Sequence, residues 1–309
     1  MTSNDVNILE SVSAEISAAA EKAAAAVVTV HGRRRFPSGG VHWRKDVVVT
    51  ANHTVRRDEG ITLTLSEGRA IPATLAGRDP TTDLAILRIE GGGVAALPDL
   101  GRPASLKVGH LALAVGRVDG VPRVSLTAIG LLGGPWRTWY GGEVEQLIRL
   151  DRELHPTLSG GPLVDAQGRV LGINTSGLSR IVGMTIPAET VNRVVTALLE
   201  KGYVTQGYLG VGLYSVPRPS RAPTDKPARQ RPLESPCLLV LSVEPNGPAD
   251  AAGVLVGDLI VALDGTAVGD TDDVQQLLGP ERVGKSVTAS VIRGGQPTEV
   301  AIVVKERPR

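Results

Sequence analysis

The sequence predicts a mainly β protein of two domains, in which a barrel or a pair of barrels precedes a smaller β-rich domain with two helices. Its 309 residues match about two domains of roughly 150 residues each. The 37 glycines and 21 prolines exceed average usage of about 7% and 5%, which favours short strands joined by tight turns. About ten short apolar segments follow one another between residues 26 and 190, a spacing typical of barrels.

The composition argues against several classes of partner and protein. Apolar residues make up 42% of the chain, enough for ordinary cores. The formal net charge of +1, without a long like-charge run, argues against nucleic acid or a membrane surface as partner. No apolar run approaches the roughly 18 residues of a membrane span. The single cysteine, Cys237, excludes an intrachain disulfide, and we expect it to be a small apolar residue leading into a strand.

The N-terminal segment, residues 1–25, is predicted to form an amphipathic helix. It does not fit an export signal, because residues 1–20 contain no lysine or arginine and are interrupted by three acidic residues. We therefore expect a cytoplasmic protein. Ser3 or Asn4 is the expected cap of this helix. Its apolar face is predicted to contain Val6, Leu9, Ile16, Ala20 and Ala23.

The first domain is predicted at residues 26–205 and the second at residues 206–309. The segment AETVNRVVTALLEKG closes the first domain as a helix, and Gly202 is its expected stop. A stretch rich in proline and arginine at residues 217–236 interrupts the second domain, and this composition predicts an exposed, disordered loop. The apolar residues of the closing helix recur at helical spacing: Val191, Val194, Val195, Leu198 and Leu199.

Three polar residues stand where predicted strands begin or end. His53 follows the β-branched run DVVVT, Asp83 precedes the apolar strand LAILRI, and Ser159 begins the turn SGGP. Covalent catalysis by serine needs a base that takes the hydroxyl proton and a third group that orients the base. Taken singly, the three residues also fit a structural histidine, a turn aspartate and an ordinary glycine turn, so both interpretations remain open at this point.

Longer segments around these residues resemble a known family. VVVTANHTV, GRDPTTDLAILRI, LSGGPLVDAQGRVLGINT and GMTIPAETV resemble the HtrA (high-temperature-requirement) branch of the trypsin-like serine proteases. VEPNGPADAAGVLVGDLIVALDG resembles the PDZ domain of bacterial members. The resemblance implies a trypsin-like double β-barrel followed by a PDZ domain, a β-sandwich with two helices. It also implies a role in protein quality control.

The same resemblance implies roles for individual residues. His53 would be the general base and acid, Asp83 its orienting carboxylate, and Ser159 the nucleophile for cleavage of unfolded or extended polypeptides, without metal or cofactor. The specificity pocket is implied at four residues, Asp151, Arg152, Asn174 and Thr175. C-terminal peptides are implied to bind the PDZ domain by strand addition, with their carboxylate at Tyr208, Leu209, Gly210 and Val211.

The resemblance also bears on assembly and location. It suggests a homotrimer, in which the helix at residues 4–25 either contacts another copy or folds back onto a barrel. It further suggests the periplasm or cell envelope, whereas the N-terminal residues alone indicate the cytoplasm. No membrane span and no nucleic-acid partner are expected.

One residue beside the nucleophile departs from the family pattern. The family has a glycine two positions before the serine, and its N–H joins the serine N–H in the oxyanion hole; this chain has Thr157. A β-branched residue resists positive φ, and an N–H turned away would cost about 10²–10³ in rate. Two readings follow: an active protease with Thr157 and Ser159 as oxyanion hole, or a pseudoprotease that acts as a PDZ peptide-binding scaffold. In a third reading, His155 serves as a substitute oxyanion donor or as a contact to the substrate.

Overall fold

The structure is a computed structural model that describes residues 7–34, 36–90, 96–118, 120–179, 181–218 and 236–306. The chain divides into two compact units, Met1–Val204 and Thr205–Arg309. The predicted mainly β architecture is confirmed, since the first unit contains two closed six-stranded barrels and the second a six-stranded sheet. No helix within the described ranges is long and apolar enough to cross a membrane.

Helix α1 (Ile8–Ala24) begins later than the sequence suggested. Its cap is Asn7, whose side-chain oxygen accepts a hydrogen bond from the N–H of Glu10 at 3.4 Å. Ser3 and Asn4, the expected caps, lie outside the described residues, as does Val6. Asn7 can replace them because asparagine is as effective a cap as serine and stands directly before the first helical residue.

The predicted buried face of α1 is confirmed at Ala23, which is buried, and at Ile16 and Ala20, which are partly buried against the same core. Leu9, expected on that face, is 80% exposed, because the helix packs on the second barrel only with its C-terminal half. The buried Arg117 donates to the carbonyl oxygens of Ala24 at 2.7 Å and Val27 at 2.8 Å, which fixes the end of the helix. In this structure the helix therefore folds back onto a barrel. Its buried residues are Ala19, Ala23 and Ala24.

The first barrel is built from six strands rich in β-branched residues, whose buried side chains fill its interior. The strands are β1 (Val27–His31), β2 (Ser38–Arg44), β3 (Val47–Ala51), β4 (Ile61–Thr64), β5 (Ala70–Asp79) and β6 (Leu84–Ile89). They close in the order β1-β2-β3-β6-β5-β4. A 3-10 turn at Asn52–Thr54 follows β3, and β6 begins directly after Asp83.

The second barrel follows the same plan, with a two-stranded hairpin inserted in it. Its barrel strands are β7 (Leu111–Val118), β8 (Val121–Gly133), β11 (Leu147–Leu150), β12 (Pro162–Val164), β13 (Val170–Thr175) and β14 (Met184–Pro187). The hairpin pairs β9 (Trp136–Arg137) with β10 (Glu143–Val144). The barrel closes in the order β11-β14-β13-β12-β7-β8. The predicted closing helix is present as α2 (Ala188–Lys201), and Gly202 ends it at φ 80°.

One hydrophobic core joins the two barrels, with valines of β1 to β3 packed against residues of β7 and β13. At the edge of this core the N–H of Gly39 in β2 donates to the carbonyl oxygen of Ser159 at 3.0 Å. Gly39 has no room for a side chain, because a Cβ would lie 2.6 Å from the backbone nitrogen of Gly161. The two barrels therefore meet, backbone against backbone, beside Ser159.

The second unit is a small sheet with two helices. It contains β15 (Gly207–Tyr208), β16 (Val211–Pro217), β17 (Pro236–Val243), α3 (Pro248–Ala251), β18 (Leu259–Leu263), β19 (Thr266–Ala267), α4 (Thr271–Leu277), β20 (Ser286–Arg293), β21 (Gln296–Val303) and β22 (Lys305–Glu306). The main sheet runs β16-β17-β18-β20-β21, with β19 beside β18. Cys237 is buried in β17, and burial raises the pKa of its thiol. Of the loop predicted at 217–236, residues 219–235 lie outside the described residues.

Candidate active site

His53 and Asp83 meet where two neighbouring strands of the first barrel turn. His53 lies in the 3-10 turn after β3, and its Nδ1 is 2.7 Å from Oδ2 of Asp83. The backbone N–H of His53 donates to the other carboxylate oxygen at 2.8 Å. The side chain of Asp83 is 5% exposed and that of His53 29% exposed. A buried carboxylate thus fixes both the ring and the backbone of the histidine, while the far edge of the ring stays accessible.

The backbone around Asp83 is held in a conformation that few residues adopt. Asp83 has φ 57°, in the left-handed region, which costs a residue with a side chain about 1–2 kcal/mol. The N–H of Asn52 donates to its carbonyl oxygen at 2.9 Å. The buried carboxylate of Asp79 accepts hydrogen bonds from Thr81 and Thr82 and shapes the turn that leads to Asp83. These bonds keep the carboxylate aimed at His53.

Thr175 supports the carboxylate from the second barrel. Its hydroxyl donates to Oδ2 of Asp83 and accepts from the N–H of Gly177 at 2.8 Å. Gly177 must be glycine, because a Cβ there would lie 2.6 Å from Oδ2 of Asp83 and 2.7 Å from Nδ1 of His53. The sequence suggested Thr175 only as a pocket residue; its place at the end of β13, opposite the aspartate, gives it this second contact.

Ser159 lies in the tight turn before β12, between the two barrels. The turn depends on Gly160, which has φ 83° and would place a Cβ 2.3 Å from both the carbonyl oxygen of Gly39 and the hydroxyl of Thr50. The N–H of Gly160 donates to the carbonyl oxygen of Asn174 at 2.8 Å. Ser159 itself is 0% exposed, so its hydroxyl points into the junction with the histidine rather than into solvent.

Ser176 lies between the serine and the histidine. Its hydroxyl oxygen is 2.9 Å from Oγ of Ser159 and 3.4 Å from Nε2 of His53. Its backbone N–H also donates to Oγ of Ser159, at 3.2 Å. The structure thus forms a chain from Asp83 through His53 and Ser176 to Ser159. Sequence reasoning gave Ser176 no role, although Ser176 directly follows Thr175 in the chain.

Two N–H groups of the turn before Ser159 are bonded within the turn itself. The N–H of Thr157 donates to Nδ1 of His155 at 3.3 Å, and the threonine hydroxyl is 2.9 Å from the same nitrogen. The N–H of Leu158 donates to the carbonyl oxygen of His155. The N–H of Ser159 has no acceptor among the described residues. Thr157 is not among the described non-glycine residues with positive φ.

His155 favours its neutral form. Desolvation lowers the pKa of its imidazole, and the positive charge of Arg123 lowers it further. A backbone N–H can only donate, so Nδ1 of His155 must be the acceptor and the ring proton lies on Nε2. The neutral ring therefore accepts the N–H of Thr157 through Nδ1.

The remaining specificity-pocket candidates have separate contacts. Asp151 accepts from the hydroxyl of Thr127 and the N–H of Ala128, and these bonds lower the pKa of its carboxyl group. Arg152 is exposed, with its Nε 3.8 Å from Asp151. Asn174 is buried, and its amide donates to the carbonyl oxygen of Pro162 at 2.8 Å. Within the described ranges, no cluster of three or more histidine, cysteine or acidic residues could hold a metal ion.

The candidate carboxylate loop of the second unit connects β15 with β16. The carbonyl oxygen of Leu209 accepts from Ala249 in α3, and that of Gly210 accepts from Glu244, each at 2.8 Å. The N–H groups of Leu209 and Gly210 have no acceptor among the described residues. Tyr208 pairs with β22, while Val211 begins β16, which is an edge strand of the main sheet.

Comparisons with known proteins agree with this architecture. Residues 38–173 match the Trypsin-like peptidase domain and residues 207–304 match the PDZ domain. Protease Do-like 1, chloroplastic, of Arabidopsis thaliana is 31% identical over 88% of this chain and 64% of its own length. Serine protease Do-like HtrA of Lactobacillus helveticus is 30% identical over 84% of this chain and 65% of its own. The chain thus spans less than two thirds of these relatives.

Solved structures match over nearly the whole of both chains. The HtrA-type protease AlgW with tripeptide is 30% identical, with a TM-score of 0.68, over 95% of this chain and 98% of its own. The same protease with decapeptide is 27% identical, with a TM-score of 0.72, over 95% and 99%. The fold, the two domain matches and these relatives show that the chain belongs to the HtrA-type family of trypsin-like serine proteases with a PDZ domain.

Proposed function

We propose that the chain is a serine endopeptidase that cleaves unfolded or extended polypeptides through His53, Asp83 and Ser159. The observation that carries the proposal is the pair of hydrogen bonds by which the buried Asp83 fixes His53, whose Nε2 is connected to Ser159 through Ser176. A carboxylate that binds Nδ1–H of an imidazole leaves Nε2 as the base. That nitrogen faces the serine across Ser176.

The reaction follows from these positions. Once Ser176 moves aside, Nε2 of His53 takes the proton of the Ser159 hydroxyl as Oγ attacks the peptide carbonyl carbon. The N–H of Ser159 and, after the turn reorients, that of Thr157 stabilise the oxyanion. His53 then gives its proton to the leaving amine, and the C–N bond breaks. Water, deprotonated by His53, hydrolyses the acyl-enzyme and regenerates the serine.

The second unit supports a role in peptide capture. Strand β16 lies at the edge of its sheet, where an extended peptide can add by backbone hydrogen bonds. The N–H groups of Leu209 and Gly210, which lack acceptors among the described residues, suit a terminal carboxylate. We propose that C-terminal peptides bind there and present or regulate substrate. Two matched structures are named as complexes with a decapeptide and a tripeptide.

The pseudoprotease is the second candidate, and two contacts favour it. The hydroxyl of Ser159 is bonded to Ser176, and the N–H of Thr157 is bonded to His155. If both contacts persisted with substrate bound, neither nucleophile nor oxyanion hole would form, and the chain would act as a PDZ scaffold. We favour the enzyme because each contact is a neutral hydrogen bond of about 0.5–1.5 kcal/mol, small against the binding energy of a peptide.

Assembly, location and physiological role also remain proposals. Family membership supports a homotrimer and a role in protein quality control. A relative from Chlamydia pneumoniae, 30% identical over 85% of this chain and 53% of its own length, is named a probable periplasmic endoprotease. The cytoplasmic location expected from the N-terminal residues therefore stays a prediction.

Cleavage of β-casein, an unfolded protein, tests the proposed activity. We expect purified protein to fragment β-casein, and Ser159→Ala to reduce the rate by about a thousandfold or more, to background, because it removes the nucleophile. Gel electrophoresis over time gives the rate, and mass spectrometry of the fragments gives the cleavage sites. Absence of cleavage by the wild-type chain, or equal cleavage by Ser159→Ala, would refute the proposal.

Ser176→Ala tests whether Ser176 restrains the nucleophile. Without the Ser176 hydroxyl, Ser159 is free to bond directly to His53. We therefore expect kcat/KM to rise about fivefold, which corresponds to the loss of one neutral hydrogen bond of about 1 kcal/mol. Ser179→Ala is the matched control, because the Ser179 hydroxyl accepts only from backbone N–H groups of the same loop. A large fall in kcat for Ser176→Ala would instead mean that Ser176 relays the proton.

His155→Ala tests whether the histidine withholds the N–H of Thr157. We expect kcat/KM to rise about tenfold near neutral pH. Without the histidine ring, the N–H of Thr157 becomes available to stabilise the oxyanion, which restores part of the contribution of one donor. The lowered pKa of His155 fixes the sign of the pH dependence: below it, the protonated Nδ1 cannot accept and the wild-type chain releases the N–H too. The ratio of variant to wild type should therefore approach one as pH falls.

Two further variants complete this test. Thr157→Gly should show a similar gain, because it relaxes the same turn, whereas His110→Ala should leave the rate unchanged, since His110 is exposed in another loop. A loss of activity in His155→Ala would contradict this account and favour the third reading, in which His155 itself contacts the oxyanion or substrate.

A further inference from the structure

Two short loops of the first barrel concentrate positive charge. Residues 33–35 and 56–57 supply five arginines, against two neighbouring acidic residues, in a chain whose formal net charge is only +1. Four of these arginines are described by the structure. We call them the arginine cluster: Arg33, Arg34, Arg56 and Arg57.

The arginine cluster lies next to the candidate catalytic residues. Its two loops are joined by a hydrogen bond from the N–H of Arg56 to the carbonyl oxygen of Gly32 at 2.9 Å. Arg56 stands three residues after His53, and the other loop leads into Ser38 and Gly39. The N–H of Gly39 bonds the carbonyl oxygen of Ser159. The cluster therefore lies beside the turn that carries His53.

The acidic residues nearby do not neutralise the cluster. Asp58 pairs with Arg78, 2.5 Å away, which is itself bonded to the carbonyl oxygen of Val55. Glu59 is exposed and forms no ion pair among the described residues. None of the four arginines has an ion-pair partner in the described ranges. The positive charge here is thus available to another molecule.

Arg33 is only partly bonded within the protein. Its Nε donates to the carbonyl oxygen of Phe36 at 2.7 Å, but its Nη2 is buried without a hydrogen-bond partner among the described residues. Burial lowers the pKa of the Arg33 guanidinium, and the charge of Arg56 lowers it further. A buried, unpaired N–H of a charged group destabilises a protein unless an acceptor is supplied. An anion bound beside Arg33 and Arg56 would offset the repulsion between their two positive charges.

We propose that the arginine cluster binds acidic side chains of the polypeptide substrate, on the side that follows the scissile bond. The direction follows from the chemistry of the proposed function, on which this inference rests. His53 must give its proton to the leaving amine, so the segment that begins with that amine passes His53 and reaches the cluster. Guanidinium groups bind aspartate and glutamate carboxylates with paired N–H···O bonds. Phe36, 60% exposed in the same loop, adds apolar surface for the stems of those side chains.

Matched peptides test whether the full-length chain prefers substrates with acidic residues after the scissile bond. An internally quenched peptide is built on a β-casein cleavage site, in one form with glutamates after the scissile bond and in the other with glutamines. Both are amidated, so that neither offers a terminal carboxylate to the second unit. We expect wild type to cleave the glutamate form about tenfold faster, measured as kcat/KM and mainly through KM, since charge-assisted bonds act in binding.

Variants locate the source of the preference. Arg33→Gln and Arg56→Gln should each bring the ratio between the two peptides towards one, and added salt should do the same because it screens the charges. Arg102→Gln is the control, an exposed arginine on the second barrel that should leave the ratio unchanged. Equal cleavage of both peptides by wild type, or a preference that survives in both cluster variants, would overturn the inference while leaving the protease intact.

A binding measurement separates this inference from the proposed function. Ser159→Ala is titrated into fluorescein-labelled, amidated polyglutamate and polyglutamine peptides, and anisotropy reports binding without catalysis. Tighter binding of polyglutamate that is lost in Ser159→Ala/Arg33→Gln would support the cluster as an acidic-peptide site even if wild type cleaved nothing. Equal binding of the two peptides would count against it.

Discussion

The clamp of Asp83 on His53 is the interaction on which the candidate site depends. One buried carboxylate holds the ring through Nδ1 and the backbone through its N–H. The clamp exists only because β3 and β6 are antiparallel neighbours in the first barrel, so that the end of β3 lies beside the start of β6. The second barrel completes it, since the hydroxyl of Thr175 binds the same carboxylate. The positioning of the histidine thus needs both barrels folded and docked.

The position of Ser159 depends on the close approach of its turn to the backbone of β2. Gly160 and Gly39 let the turn of Ser159 lie directly against β2, where any side chain would overlap backbone atoms. The hydroxyl of Ser159 is thereby brought near the histidine, but it is bonded to Ser176. The N–H of Thr157 is likewise bonded to His155. The structure therefore combines a firmly held candidate base, His53, with a candidate nucleophile and a candidate oxyanion donor that are both restrained by weak, local hydrogen bonds.

The sequence predicted the features that depend on local pattern. It missed the contacts that form only when distant segments pack together in the folded chain. Periodicity left a barrel or a pair of barrels open, and the resemblance to a family implied the double barrel. The strand end before His53, the strand start after Asp83 and the glycine stop at Gly202 were readable from periodicity and turn residues. The contacts of Ser176 were not, because they arise only when the end of β13 is brought opposite β3. Leu9 was wrongly placed on the buried face of α1 for the same reason: hydrophobic spacing shows which residues share a face, but not how far along the helix the barrel extends.

The central claim is that this clamp produces an activatable nucleophile at Ser159. The most direct measurement is the rate at which a fluorophosphonate probe labels Ser159, located by peptide mass spectrometry, in wild type, His53→Ala and Asp83→Asn. The account predicts labelling at Ser159 in wild type and rates about 10³–10⁴ lower in both variants, because each loses an oriented base. No labelling of wild type, or labelling that is unchanged in Asp83→Asn, would contradict it and indicate a scaffold rather than an enzyme.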